Sequence, residues 1–129
     1  QMNRLSMVAR RALGSAALAL AAGCASVAQT PVVLQPVPAA PAVMTLAQPL
    51  SLALDTGFHR DIAAGSRWQL AGRIAQGDVY QAVSNVFTVE GAHIHEAYLV
   101  VDNKAVVGFY LPAERGFSPL KQHSAISLQ

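Results

Sequence analysis

Apolar and polar positions fall into three regimes along this 129-residue chain. Residues 12–22 are an unbroken run of Ala, Leu, Gly and Ser. Residues 25–49 are mostly apolar, broken by prolines and uncharged. From residue 50 onward, short apolar runs alternate with polar positions, and turn formers recur every 8 to 12 residues, the pattern of an all-β domain. Arg67 to Ile74 alternates with period two: Trp68, Leu70, Gly72 and Ile74 share one face, opposite Arg67, Gln69, Ala71 and Arg73. That is the signature of a half-buried strand. Gln76-Gly77-Asp78 turns the chain into Val79 to Val83, Ser84-Asn85 interrupts it before Val86 to Val89, and Glu90-Gly91 turns it again.

The strongest hairpin signal joins His95 to Val101 with Ala105 to Leu111 through Asp102-Asn103-Lys104. Gly108 marks a bulge or a close backbone approach, and Pro112 ends the strand. Phe58 to Ala64 has room for one helical turn at most. The expectation is an all-β fold: a small antiparallel meander of five to six strands, curled into a barrel or roll, after a disordered N-terminal third. The expected domains are a signal at 1–23, a tether at 24–49, the β domain at 50–120 and a frayed polar tail at 121–129.

The N-terminus reads as an export signal. Arg4, Arg10 and Arg11 precede the apolar run with no acid among them, and the run is too short to span a bilayer. It ends in Leu20-Ala21-Ala22-Gly23-Cys24, which resembles the lipobox of bacterial lipoproteins. The resemblance implies cleavage before Cys24, diacylation of its thiol and acylation of the new amino terminus. It covers residues 2 to 24 only. In that family an Asp after the Cys retains the protein at the inner membrane. Ala25 and Ser26 stand here, which implies the outer membrane, periplasmic face. Cys24 is the one cysteine, so no intramolecular disulfide can form, and lipidation accounts for an odd thiol in an exported chain.

Processing changes the charge. The whole chain carries +2. From Cys24 onward there are six Lys and Arg against seven Asp and Glu, a net −1. No electrostatic case for nucleic acid survives that change of sign. Five of the seven prolines (Pro31, Pro36, Pro38, Pro41 and Pro49) fall in the uncharged stretch. Proline at that density forbids a helix and favours polyproline-like chain, so a stalk reaching on the order of 60 Å is expected.

Candidate chemistry is sparse. His93 and His95 would share a strand face, and with His59 or Asp61 they have the makings of a tetrahedral zinc site. Glu90, Glu96, Asp55, Asp61 and Asp78 offer carboxylates, but no pair is recognisable by spacing. The serines lack a nucleophile elbow, the glycines form no phosphate loop, and the thiol is taken by the anchor. No catalytic residue and no cofactor is assigned. Trp68 and Phe109 are expected in the core, and Tyr98 and Tyr110 as an exposed surface for a partner. The expected function is that of a non-enzymatic, outer-membrane-tethered periplasmic lipoprotein. It would serve as a binding or accessory module for a protein or envelope polymer. The alternative is a periplasmic metal-binding protein using His93 and His95.

Overall fold

The computed structural model describes residues 26–129. Cys24 and the expected signal lie outside the described residues. The proline-rich stretch contributes β1 (Thr30–Pro31), β2 (Gln35–Pro36) and β3 (Val43–Thr45). Two hairpins follow, β4 (Leu50–Ala53) with β5 (His59–Ile62) and β6 (Arg67–Ile74) with β7 (Gly77–Ala82). A short hairpin of β8 (Thr88–Glu90) and β9 (Ile94–Glu96) precedes β10 (Tyr98–Asp102), β11 (Ala105–Leu111) and β12 (Gly116–Ala125). The fold is all-β and antiparallel, a curled sheet in the order β1-β12-β11-β10-β7-β6-β2, with β3 also on β6.

The β10–β11 hairpin forms where the turn residues put it. Its loop is the two residues Asn103 and Lys104, with φ of 49° and 60°, the paired positive φ of a type I′ turn that matches strand twist. β10 is shorter than expected, because Ile94–Glu96 belongs to β9 instead. Gly108 lies at a register shift in β11, and a Cβ there would meet the Phe117 ring at 2.7 Å.

Four expectations are corrected. The strands number twelve among the described residues, because two short hairpins and three short pieces of the proline-rich stretch also pair. Phe58 to Ala64 holds no helical turn, since His59–Ile62 pairs with Leu50–Ala53. The tail is not frayed: Gln129 exchanges backbone hydrogen bonds with Thr45, the Ser127 carbonyl accepts from the Ala47 N–H, and Ile126 is buried. Residues 26–49 are not a free stalk. Proline is tolerated at strand edges, where its missing N–H is not needed, and this stretch occupies two of them.

β1 and β2 are the ends of one extended run that bridges opposite edges of the curl. Thr30 and Pro31 pair with Phe117 and Gly116 on β12, while Gln35 and Pro36 pair with Arg73 and Gly72 on β6. Three residues, Val32–Leu34, cross between them, and the span from Pro31 to Gln35 is at most about 14 Å. A glycine sits at each seam. A Cβ on Gly72 would meet Leu34 Cδ1 at 2.9 Å, and one on Gly116 would press into the Gln29 side chain and lie 3.2 Å from the Thr30 carbonyl oxygen.

The sheet therefore buries both faces. One face packs Trp68, Leu99, Val106, Phe109 and Leu111 against Leu46, just after β3, and against Leu52, Ile62 and Val89 from the hairpins outside the curl. The other packs Ile74, Val79, Val100, Tyr110 and Phe117 beneath Val32 and Leu34 of the bridging run. The single-faced reading of Arg67 to Ile74 fails at Ala71. A register shift between Leu70 and Gly72 moves Trp68 to one core and Ile74 to the other. A bulge adds one residue and so reverses the parity of everything after it.

Candidate functional site

The four expected metal ligands do not assemble. His59 and Asp61 are exposed on β5, and His93 is exposed in the bend between β8 and β9. His95 Nδ1 lies 2.7 Å from Glu114 Oε1, in the loop between β11 and β12. Among the described residues no three His, Cys, Asp or Glu come together. The register separates them: β5 belongs to one two-stranded sheet and β9 to another. Other carboxylates are engaged locally. Asp55 accepts the Lys121 N–H at 3.0 Å, Asp78 pairs with Arg73 at 3.0 Å, and Glu90 lies 3.9 Å from Arg60.

Tyr98 and Tyr110 do meet, as a cross-strand pair with ring centroids 5.9 Å apart. They do not form an exposed patch. Tyr110 is 5% exposed and both rings pack in the second core, under the bridging run. Burial, with Glu96 and Tyr110 nearby, raises the pKa of the Tyr98 phenol. Tyr80 is raised mainly by burial and further by Asp78, with Arg73 opposing.

The feature best suited to a ligand lies elsewhere. A groove of about 310 Å³ runs between β5 with its following turn and the loop from β7 to β8. Trp68 and Phe87 form its floor, edge to face with centroids 5.7 Å apart. Trp68 donates its Nε1–H to Ser66 Oγ at 3.1 Å, which fixes the indole. Arg60 and Arg67 line one side, Asn85 and Val86 the other. The Arg60 guanidinium stands 5.1 Å from the Phe87 ring centroid, within cation–π range, and its Nε is buried without a partner. Val86, at 68% exposure, presents an apolar side chain at the rim. β5 pairs only with β4 among the described residues, so its other edge borders this groove without a strand.

A depression of about 580 Å³ beside β2 and the turn from β6 to β7 is larger, but no aromatic ring lines it. Ligand sites are typically apolar hollows with a few aimed polar groups, which describes the Trp68 groove better. Sequence reading placed Trp68 in the core but gave no role to Arg60, Arg67 or Phe87. They are brought together by pairings between distant strands, and no local spacing signals them.

No protein-family model, no curated protein and no solved structure matches this chain.

Proposed function

We propose that this chain is an outer-membrane lipoprotein, held through acylated Cys24 at the periplasmic face, whose β domain binds a protein or envelope polymer without catalysing a reaction. The observation that supports binding is the groove floored by Trp68 and Phe87 and flanked by Arg60 and Arg67. Aromatic rings supply apolar contact at low entropic cost, and arginine adds directional donors. A partner presenting an acidic group over an apolar or extended segment fits that lining. The Arg60 guanidinium, beside the Phe87 ring in that lining, supplies the positive charge such a group would meet.

Two experiments test the two halves of the reading. Cys24→Ser should leave the precursor uncut and move the protein out of the detergent fraction, and an unchanged membrane fraction defeats the anchor. A crosslinked pull-down from membranes, with a tag on a linker after Gln129, should yield one dominant partner. Arg67→Glu and Val86→Asp, both at exposed positions, should cut its recovery by roughly tenfold, the equivalent of about 1.4 kcal/mol. Equal recovery with both variants removes the groove from the interface.

A further inference from the structure

We infer that the tips of the β4–β5 and β8–β9 hairpins rest on the lipid surface, with Phe58 and Ile94 entering its interfacial zone. The inference rests on the proposed acylation of Cys24. Its first premise is the shortness of the connection. Ser26 is already placed against the domain, bordering a small cavity with Val27, Asp55, Thr56 and Glu90. Two residue steps separate Ser26 from Cys24, about 7 Å of chain at full extension. The domain is therefore held at the membrane, and the side it turns to the lipid is the side where Ser26 sits.

Its second premise is what stands on that side. The two hairpin tips are joined: Thr56 Oγ1 donates to the Glu90 carbonyl oxygen at 2.5 Å, and Arg60 reaches the Glu90 carboxylate at 3.9 Å. Phe58 follows Thr56 by two residues and is 45% exposed. Ile94 is the strand partner of Glu90 and is 71% exposed. Exposed His59 and His93 flank them, so each tip carries one apolar side chain beside a group suited to headgroups. The remaining exposed large apolar side chains, Val33, Val43, Val83 and Val86, sit on the bridging run, on β3 and on the loop after β7.

Two side chains alone would hold a soluble protein to lipid weakly. The anchor removes that requirement, because a tether this short converts the contact into an intramolecular one at high effective concentration. The domain carries a net −1, so the contact is apolar and does not depend on anionic lipid.

The test uses the full chain, acylated in cells, confirmed by mass and reconstituted into phosphatidylcholine vesicles. The natural sequence has one tryptophan, Trp68, which is 2% exposed and supplies the baseline emission. Phe58→Trp and, separately, Ile94→Trp place a second indole at each tip, and Val86→Trp places one in the loop after β7. With lipid brominated in its acyl chains, emission added at 58 or 94 should fall by roughly half, as for side chains about 5–10 Å into the headgroup boundary. Emission added at 86 should not fall, and salt should change none of these results. Acylated, vesicle-bound protein with no quenching at either tip, or with equal quenching at 86, overturns the inference and leaves the lipoprotein reading intact. A chain of unmodified mass that does not stay with vesicles overturns both.

Discussion

Tyr98 shows how one residue couples the second core to pH. Burial raises its phenol pKa, and Glu96 and Tyr110 add to the shift. A phenol whose pKa is higher when folded favours the native state below its unfolded value, near 10, and that contribution is lost as pH climbs through the folded value. Thermal stability should therefore fall on the alkaline side of pH 10, and Tyr98→Phe should flatten that fall while leaving neutral pH almost unchanged. Melting curves across pH 8 to 11 check both. Gly72 is a second residue with an outsized role. A side chain there would collide with Leu34 and the Gln35 backbone, so Gly72→Val should cost about 1–3 kcal/mol, as overpacking does, in urea unfolding. Trp68 and Phe109 were legible as core residues because each is the large apolar member of an alternating run, and both are 2% exposed. Tyr110 was misplaced. Alternation told that it opposes Phe109, but nothing local told that Val32 and Leu34 cover that second face.

Elements with a local code were legible and those paired at long range were not. The hairpin of β10 and β11 announces itself through its turn residues, and β6 through its alternation as far as Leu70. The bulge at Ala71 is silent, because inserting one residue changes no composition. The proline-rich run looked like a stalk for the same reason: its partners are β12 and β6, far away in sequence. The groove was illegible because Arg60, Trp68 and Phe87 come from three separate elements. That run should be a structural part of the domain. A chain starting at residue 37 loses Val32 and Leu34 from the second core, and each half-buried aliphatic is worth about 1–2 kcal/mol. It should be less stable than a chain starting at 26 by roughly 2–4 kcal/mol, and it should bind a dye for exposed apolar surface, because Tyr110 and Val79 lose their cover.

For the molecule as a whole, absorbing residues 30–36 into the sheet shortens the reach of the proposed anchor. Five residues, 25–29, separate Cys24 from the first strand, which is about 20 Å when fully extended in place of the 60 Å expected of a stalk. Inserting about 20 Gly and Ser residues after Ala25 should leave the membrane fraction unchanged. It should weaken lipid quenching at Phe58→Trp, because effective concentration falls as a flexible linker lengthens. The bridging run also has a consequence in time. Ribosomes release the N-terminus first, yet Thr30 pairs with Phe117 and Thr45 with Gln129. Residues 30 and 45 must wait for residues 117 and 129, made later, before either contact exists. Contacts so distant in sequence slow folding, since loop closure is met before it is rewarded. Until residues 116–125 emerge, β11 lacks its outer neighbour and Thr30 and Pro31 have no strand to pair with, so that edge of the curl is the last to close.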